Sequence, residues 1–457
     1  MNAKTSTSTL KTALRRILSE IKGGPRGWLI LLILAACVHI ASTSGVFLIG
    51  RLGLMPSQFD RNGVGEFAPD GRSHQQDAVV LTDKLSHEGI RAWLKAIAPL
   101  HVRLYSLSQV FLGRFIGLNI LAVEPMNLLY YLSILVIVYK MAEAVFERRA
   151  ALLAAAIVGL WPTLLLHTTQ PLRDPLLITV VMVFFLIVTR WLAQRFSWKQ
   201  TILASIAGSL VLLVIWIVRL AMWDCVRAVL YFAAVLLLIR IVKDRRLLLG
   251  NLIVGVVLIS TAWVIPNWNH MLQFTEKRER DVRAGKVLIG ERVIPLTVWD
   301  RIAARREGFT KKTDDDGSNA GSNIDGDVSI KGKAALFRYL PRAAEIGLFA
   351  PFPNMWFAKG MAVGRGGRIL SGLEMIVTYL IEALAAYALW WKRRQLSVWL
   401  LMCSALLGAV ALGLIVANVG SLYRLRYPFW ILLVIMGTGG AIHFFSRLET
   451  KEESKLK

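Results

Sequence analysis

Apolar residues are grouped into stretches of about 20 residues, the length that a helix needs to cross the hydrocarbon core of a bilayer. Short basic or polar turns separate most of these stretches, and two long segments separate the others. The pattern predicts an all-α polytopic membrane protein with about ten transmembrane helices. The predicted spans cover residues 28–48, 126–146, 150–169, 175–194, 201–219, 225–242, 251–267, 370–391, 396–417 and 427–445.

Basic residues are concentrated in the turns that follow the even-numbered spans. Cytoplasmic loops carry an excess of lysine and arginine, so these turns predict an orientation. With ten spans, all of these turns fall on the side of the basic N-terminus, which makes both termini cytoplasmic. The residues are Arg148 and Arg149 after span two, Arg190, Arg195 and Lys199 after span four, Lys243, Arg245 and Arg246 after span six, and Lys392, Arg393 and Arg394 after span eight.

This topology divides the chain into five parts. They are a basic cytoplasmic N-terminus (1–27), a transmembrane core (28–267) with a first long outer segment (about 49–125), a second, partly mobile outer segment (268–369), the C-terminal spans (370–445) and a cytoplasmic tail (446–457). Because the cytoplasmic turns are short, a large site is expected on the opposite, extracytoplasmic side.

Both long outer segments contain apolar stretches that do not fit a span. Residues 101–118 are apolar at helical spacing but are interrupted by Arg103 and Arg114, which predicts a helix lying in the outer interface. Residues 346–357 contain two prolines and are predicted to be interfacial or re-entrant. Each outer segment is therefore expected to carry an interfacial helix.

Two polar sequences in the second outer segment are predicted to be loops. Residues 311–327 are rich in Asp, Asn, Gly and Ser, which predicts a solvated or mobile loop. The acids there lack the spacing of an EF-hand. Gly364-Arg-Gly-Gly-Arg368 lacks the strand–turn–helix context of a phosphate-binding loop and is predicted to be a flexible basic loop near the bilayer.

Composition narrows the class of protein further. The chain has 457 residues, of which 55% are apolar and 18% charged, with a net charge of +24 and a mean hydropathy of +0.54. These values exclude intrinsic disorder, a disulfide-rich secreted module and a coiled coil. A basic nucleic-acid-binding protein is rarely this apolar, so nucleic acid is not an expected partner. Cys37, Cys225 and Cys403 lack the spacing of a metal site and are expected to be small buried apolar residues.

Asp77 is the first candidate for chemistry. It lies in the first outer segment, and Asp77, Leu81 and Lys84 share one face of a predicted helix. A carboxylate beside the membrane surface can act as a general base toward a hydroxyl, and His74 and Lys84 could support it. The alternative is an ordinary acid near a helix start, which the helix dipole favours.

Arg173 and Asp174, in the outer turn between the third and fourth spans, form the second candidate. Asp174 before Pro175 predicts an N-cap followed by proline at the first helical position, which is a structural role. In the functional alternative, both residues face the same outer cavity as Asp77. Two acids beside an arginine could there position a nucleophile or a divalent cation.

Arg424 and Arg426 form the third candidate, on the outer side where arginine is disfavoured. In an extended turn, alternate residues would point both guanidinium groups the same way, and arginine binds phosphate through two parallel hydrogen bonds. The prediction is a site for a phosphate or pyrophosphate group, and the alternative is anchoring to lipid headgroups. Arg219 and Arg227 flank Trp223-Asp224 in a short outer turn. They could add to a phosphate site, but a local ion pair is the preferred prediction.

The order of several sequence features points to a known family. An anchor is followed by Gln76-Asp77-Ala78, by a stretch ending in Phe111-Leu-Gly-Arg-Phe115, by Glu147-Arg-Arg-Ala-Ala-Leu-Leu-Ala-Ala-Ala156, by Trp161-Pro162, by Arg173-Asp174-Pro175 and by the late Tyr423-Arg-Leu-Arg-Tyr-Pro428. This order resembles the C-type glycosyltransferase superfamily, whose membrane enzymes use lipid-phosphate sugar donors. The resemblance is greatest to its bacterial mannosyltransferase-like and aminoarabinose-transferase-like branches, and it covers about residues 28–195.

The resemblance implies a function and assigns residues to it. It implies a glycosyltransferase of a bacterial-type inner (plasma) membrane that moves a sugar from a polyprenyl-phosphate donor to a glycan, lipid or protein hydroxyl on the extracytoplasmic face. The catalytic acid of the first outer loop corresponds to Asp77, and the acid of the next outer loop corresponds to Asp174. Arg424 and Arg426, with Arg173, are not assigned by the resemblance, but the affinity of arginine for phosphate makes them the candidates to hold the donor phosphate. Ala78 stands where such enzymes often carry a second acid, so metal use is left open.

Three other interpretations of the same pattern stay open. One is a polymerase or ligase of lipid-linked oligosaccharide, which also uses outer arginines and many spans. Another is a transporter or flippase, for which discontinuous spans in matched halves and ionisable residues near the middle of the bilayer are expected. Few acids are expected inside the spans, with Glu143 and Glu382 near span ends. The third is a non-enzymatic assembly scaffold, which needs no convergent acids and arginines.

Overall fold

The computed structural model describes residues 27–68, 70–268, 273–275, 298–314, 323–358 and 363–456, and the regular structure in these ranges is helical apart from isolated bridges. The helices are α1 Gly27–Arg51, α2 Asp70–His87, α3 Ile90–Lys95, α4 Leu100–Ile116, α5 Ile120–Val145, α6 Arg148–Gly159, α7 Pro162–Thr168, α8 Asp174–Ala193, α9 Trp198–Val218, α10 Leu220–Asp244, α11 Leu249–Val264, α12 Val298–Asp314, α13 Lys333–Phe349, α14 Gly364–Trp391, α15 Leu396–Ile415 and α16 Val419–Leu456. Short 3₁₀ turns follow α11 and α13 at Ile265–Asn267 and Pro353–Met355.

The prediction of an all-α polytopic membrane protein is confirmed. In the described ranges, nine helices are long and apolar enough to cross a membrane. The third predicted span is instead divided into α6 and α7, whose axes are bent by 63° at the break. If α6 and α7 together cross the membrane as one span, the number of spans is ten. The break lies at Trp161, and Pro162 begins the second half because proline is favoured at the first position of a helix.

Two of the sequence predictions for the C-terminal part are wrong. The last span begins eight residues earlier than predicted, so that Arg424 and Arg426 lie in α16 and not in an extended turn. The glycine-arginine sequence at 364–368 is the first turn of α14 and not a flexible loop. Both sequences precede apolar stretches, and tertiary packing extends the helices beyond the limits that hydropathy suggests.

The basic turns meet at one end of the helical bundle. Lys392 Nζ donates to Val145 O at 2.8 Å, and Lys243 Nζ lies 3.4 Å from Arg394 O. Arg240 Nη1 donates to Leu192 O at 2.7 Å. The turns after α5, α8, α10 and α14 thus lie on one side, as the charge pattern predicts. The described parts of the two long segments lie at the other end of the bundle, the outer end.

Helix α4 lies at the outer end, and its range nearly coincides with residues 101–118, the stretch that is predicted to be interfacial. Tyr105 OH donates to Leu172 O at 2.6 Å, and Ser108 Oγ donates to Ala122 O at 2.7 Å. The helix thereby bridges the start of α5 and the turn before α8. Gln75 Nε2 on α2 donates to Leu118 O at 3.0 Å and holds α2 beside it.

The second outer segment is tied to the last spans. Arg306 on α12 donates to the carbonyl oxygens of Gly413 and Leu414, at 3.3 and 3.2 Å, where α15 ends. Helix α13 packs closely along α15, and glycine at Gly347 and Gly413 allows this approach. A Cβ at either position would overlap a carbonyl oxygen of the other helix. The last turn of α13 lies beside Ala409 of α15. Because α15 ends at Ile415 and a helix rises about 1.5 Å per residue, this contact lies about 9 Å along the axis before the end of α15.

The prediction of a solvated or mobile loop at 311–327 is wrong for the part that the structure describes. Residues 311–314 belong to α12, and 315–322 lie outside the described residues. Arg342 Nε donates to Asp325 Oδ2 at 2.9 Å, and Asn323 forms an isolated bridge with Asn418 at the start of α16. The end of the segment is therefore anchored between α13 and α16.

Candidate functional site

Arg424 connects two carboxylates at the outer end of the bundle. Its Nη2 lies 3.3 Å from Asp70 Oδ2, and its Nη1 lies 3.5 Å from Asp174 Oδ2. Arg219 Nη1 lies 3.5 Å from the other oxygen of Asp174, Oδ1. Helices α2, α8 and α16 and the start of α10 thus contribute to one cluster of charged side chains.

Helical geometry sends Arg424 and Arg426 in different directions. Residues two positions apart on an α-helix are separated by about 200°, so the two guanidinium groups cannot point the same way. Arg426 Nη1 donates to Leu348 O at 3.0 Å and to Ala350 O at 2.8 Å, carbonyl groups at the C-terminal end of α13. Arg426 therefore holds α13 in place, while Arg424 reaches the carboxylate cluster.

Asp174 is the buried carboxylate of the cluster. It is the first residue of α8 and precedes Pro175, and the N-cap position belongs to Arg173. The N-cap interpretation of Asp174 is therefore wrong, and its carboxylate is held instead by Arg219 and Arg424. Its side chain is only 7% exposed, so the two arginines supply the countercharge that a buried carboxylate requires.

Arg219 is also placed differently from the prediction. The expected ion pair with Asp224 is replaced by the contact with Asp174, and Asp224 pairs with Arg305 on α12 at 3.4 Å. Arg227 lies over the rings of Tyr231 and Trp263, at 6.0 and 5.7 Å. The cause is a break between α9 and α10 at Arg219, which turns its side chain toward α8.

Asp70 is the more exposed carboxylate, with 43% of its side chain accessible. Burial alone would raise its pKa, but Arg424 and Arg173 outweigh this effect, and His74 adds to theirs. The pKa of Asp70 is consequently below its ordinary value, although the charge of Asp174 opposes the shift. Asp70 is thus a carboxylate at neutral pH. It is accessible to solvent and lies beside the positive charges of Arg424 and Arg173.

Buried polar side chains hold the turn that presents Arg173 and Asp174. Tyr105 OH donates to Leu172 O, and its phenol also contacts Asn127 Oδ1 at 2.9 Å. Asn127 Nδ2 donates to Gln170 O at 3.2 Å. His74 Nδ1 lies 3.2 Å from Pro171 O, so it supports this turn from α2. The turn therefore has little freedom to move away from Arg424.

Asp77 and Lys84, the other predicted residues of α2, lie on the stripe that begins at Asp70. Residues seven apart fall almost on one line of a helix, so Asp77 lies about 10 Å along the axis from Asp70. Asp77 is exposed and makes no hydrogen bond or ion pair with another described residue. Lys84 Nζ lies 3.7 Å from Glu88. The structure thus brings Asp174, Arg173 and Arg424 together, with Asp70 where Asp77 was expected.

A second polar cluster lies around the turn of α16 that carries Arg424, and the sequence did not predict it. Glu374 on α14 is 4% exposed and accepts hydrogen bonds from Thr163 N at 2.9 Å and from Thr163 Oγ1 at 2.7 Å. It also accepts one from Tyr423 OH. Tyr427 OH lies 3.0 Å from His167 Nδ1. These contacts fix the break between α6 and α7 against the turn of α16 that carries Arg424.

Sequence signals for the two missed acids exist but are weak. Pro69-Asp70-Gly71 has the composition of a turn, whereas α2 begins at Asp70, where an acid is favoured by the helix dipole. Asp70 lies seven residues before Asp77, on the same stripe of α2. Glu374 is an isolated acid in a long apolar stretch, and a buried acid at such a place needs partners. No local pattern names Thr163 or Tyr423 as those partners.

Comparison with known proteins adds no family assignment, because no protein-family model matches the chain and no curated protein matches it. The chemistry is therefore inferred from the side chains themselves. Among the described residues, no three His, Cys, Asp or Glu side chains are grouped so as to hold a metal ion. The positive charge beside Asp70 and Asp174 comes from Arg173, Arg219 and Arg424. Such an arrangement can bind an anion and accept a proton at Asp70.

Proposed function

We propose that the protein is an integral membrane glycosyltransferase that moves a sugar from a polyprenyl-phosphate donor to a hydroxyl group of a glycan, lipid or protein. The observation that carries the proposal is the shared position of Arg424 between a buried and an exposed carboxylate at the outer end of a membrane bundle. Arginine suits a phosphate group, and the surrounding spans suit a lipid-linked substrate. The choice of sugar transfer rests on the order of sequence motifs in residues 28–195, which resembles that of C-type glycosyltransferases.

Asp70 takes the role of the base in this proposal. The acceptor hydroxyl oxygen attacks the anomeric carbon, its proton passes to a carboxylate oxygen of Asp70, and the bond between the anomeric carbon and the phosphate oxygen breaks. The phosphate leaves on the polyprenyl chain with one additional negative charge. Asp70 is preferred to Asp77 because it is the carboxylate that contacts Arg424, and it is accessible to a substrate.

The arginines stabilise the leaving phosphate. Charge develops on the phosphate oxygen as the sugar departs, and fixed positive groups act most strongly when they face the atom on which charge develops. Arg424, Arg173 and Arg219 are the candidates, since all three surround Asp174. Asp174 holds these arginines in place. Arg426 is left out of the donor site because the carbonyl groups of α13 occupy its guanidinium.

Transfer would take place on the extracytoplasmic face of a bacterial-type inner membrane, with both termini in the cytoplasm. The support is the collection of basic turns at the end of the bundle opposite to the site. Single cysteines at exposed positions test this in a chain whose three cysteines are replaced. A cysteine at Asp83 should react with an impermeant maleimide added to intact cells, and one at Arg245 should react only after lysis. The reverse pattern would overturn the orientation.

The activity is tested in proteoliposomes with a radiolabelled sugar on polyprenyl phosphate. Wild-type protein should transfer label to a hydroxyl-bearing acceptor extracted from the same membrane. The Asp70→Asn and Arg424→Ala variants should lose transfer. Asp70→Asn should keep its expression level and thermal stability in detergent, whereas Arg424→Ala also removes a countercharge of the buried Asp174 and should be less stable. A donor that carries an oligosaccharide on pyrophosphate, used in parallel, distinguishes the lipid-linked oligosaccharide polymerase or ligase. If no sugar moves from either donor, the enzymatic proposal fails.

A transporter is the second candidate, and the broken span favours it. The bend of 63° between α6 and α7 and the buried Glu374 beside it are features expected of a substrate pathway. Glu124 is another buried acid, and its Oε1 lies 2.7 Å from His39 Nδ1 inside the spans. Movement of a labelled polyprenyl-phosphate sugar across the vesicle membrane, without transfer to an acceptor, would favour this candidate.

A further inference from the structure

We propose that Asp70 and the donor phosphate compete for Arg424, so that binding of the donor releases Asp70 to act as the base. This inference rests on the proposed function and concerns the order of events at the same site. Without a donor, the base would be held by the arginine that the phosphate needs. The acceptor hydroxyl could then be activated only after the donor is in place.

The geometry of Arg424 makes one of its two contacts exchangeable. Both contacts are single, at 3.3 Å to Asp70 and 3.5 Å to Asp174, and neither is a bidentate pair. The side chain of Asp70 is 43% exposed, whereas that of Asp174 is 7% exposed and also contacts Arg219. Arg424 itself is only 12% exposed, so an entering anion reaches it by displacing Asp70, the more accessible of its two ligands. Asp174 stays paired with the arginines that hold it.

Phosphate is the stronger partner for the guanidinium in this exchange. A phosphate presents several acceptor oxygens in the geometry that two arginine N–H groups can engage together. Asp70 supplies one oxygen at 3.3 Å. The attraction increases during transfer, because the phosphate gains charge as the sugar leaves, so the transition state is stabilised more than the bound donor.

The exchange also strengthens the base. The charged groups that face Asp70 are Arg424 from α16, Arg173 from the turn before α8, His74 from its own helix and Asp174 from α8. Arg424 is the foremost of the groups that lower the pKa of Asp70, and Asp174 opposes them. When a phosphate neutralises Arg424, the pKa of Asp70 rises toward its ordinary value. A carboxylate with a higher pKa accepts a proton from a hydroxyl more readily.

Binding of farnesyl phosphate to the purified chain in detergent tests the competition. Asp70→Asn removes the competitor, so this variant should bind farnesyl phosphate about fivefold more tightly than wild type, the size expected for release of a partly exposed ion pair. It should nevertheless fail to transfer sugar. Equal or weaker binding by Asp70→Asn, at unchanged thermal stability, would overturn the competition.

Two further variants separate competition from a general charge effect. Asp77→Asn removes one negative charge from the same stripe of α2 and should change the affinity by less than about twofold, because the screened field of an exposed charge is weak at about 10 Å. In an Arg424→Gln background, Asp70→Asn should give no gain in affinity, since the shared arginine is gone. A gain that persists in that background overturns the inference.

The two proposals fail in different ways. If wild-type protein binds farnesyl phosphate, Asp70→Asn binds it no more tightly and transfer still depends on Asp70, then the competition is wrong and the glycosyltransferase stands. If Asp70→Asn binds more tightly but wild type transfers no sugar from any tested donor, then the proposed enzyme is wrong and the shared arginine remains as a property of an anion-binding site.

Discussion

Arg424 donates from Nη2 to Oδ2 of Asp70 at 3.3 Å, across 354 positions of the chain. The contact joins the first outer segment to the last span, so the site exists only when the whole bundle is assembled. A contact of this kind explains why the local sequence around Asp70 does not mark it as a site residue. It also gives the site its asymmetry, because the accessible acid lies in an outer helix and the buried acid at the start of a span.

The first prediction distinguishes the two acids of the α2 stripe. Asp70→Asn should lower kcat for sugar transfer by about 10²–10⁴-fold, the usual effect of removing a general base. Asp77→Asn should leave kcat within about twofold of wild type, since Asp77 is exposed and makes no hydrogen bond or ion pair with another described residue. Initial rates in proteoliposomes check both variants. If only Asp77→Asn is inactive, the base is Asp77, and the contact with Arg424 is structural.

The second prediction concerns the buried acid. Asp174→Ala leaves Arg219 and Arg424 without their buried countercharge and should destabilise the protein by about 3–5 kcal/mol. Adding Arg219→Ala should restore part of that loss, so a double-mutant cycle should give a coupling of about 1–3 kcal/mol. Unfolding in detergent measures the cycle.

The matched control for this cycle is the pair of Asp224 and Arg305, at 3.4 Å and with 49% and 21% of their side chains exposed. Because solvent screens such a pair, its cycle should give less than about 1 kcal/mol. Equal coupling energies for the two pairs would show that the burial of Asp174 does not strengthen its ion pair.

The sequence predicts the class of fold well and the site only in part. Hydropathy identifies the spans because a bilayer requires long apolar helices. The basic turns predict the orientation of the spans because these turns lie at the same end of the bundle. Arg173, Asp174 and Arg424 were found because a charged residue at an outer turn is unusual. The direction of Arg426 could not be predicted, since it depends on whether residues 419–426 are helical, and that is decided by packing against α13 and α14. The same limit hid Glu374, whose partners lie 211 and 49 positions away.

The third prediction compares two acids of α14. Glu374→Ala leaves Thr163 N, Thr163 Oγ1 and Tyr423 OH without an acceptor in a buried place, at a cost of about 1–3 kcal/mol for each unsatisfied group. It should therefore destabilise the protein strongly, and Glu374→Gln, which keeps one acceptor oxygen, should do so less. Glu382→Ala is the control, because its buried Oε2 has no hydrogen-bond partner among the described residues. If the Glu382 variant is the less stable one, the proposed role of the Glu374 cluster is wrong.

The fourth prediction concerns the second outer segment and its dependence on pH. Hydrogen bonds from Arg342 hold the pKa of Asp325 below its ordinary value, although burial opposes them, and Tyr339 OH adds a further hydrogen bond at 2.9 Å. A carboxyl whose pKa is lowered on folding contributes stability that is complete above its unfolded pKa of about 4 and is lost as the pH falls through its folded value. Protonation should thus loosen residues 323–349 below about pH 4, and not at neutral pH.

Asp325→Asn should reproduce that loosening at pH 7. Asn is a suitable replacement because Asp325 has a φ of 50°, a left-handed conformation that Asn tolerates better than most residues do. Amide hydrogen exchange over 323–349, corrected for the intrinsic effect of pH, should be faster in this variant than in wild type at pH 7, and its rate should change little between pH 5 and pH 3. The nearby exposed Asp327 offers the control, and Asp327→Asn should exchange as wild type does. Equal protection in all three proteins at pH 7 would mean that Arg306 and the packing of α13 against α15 hold the segment without the Asp325 carboxylate.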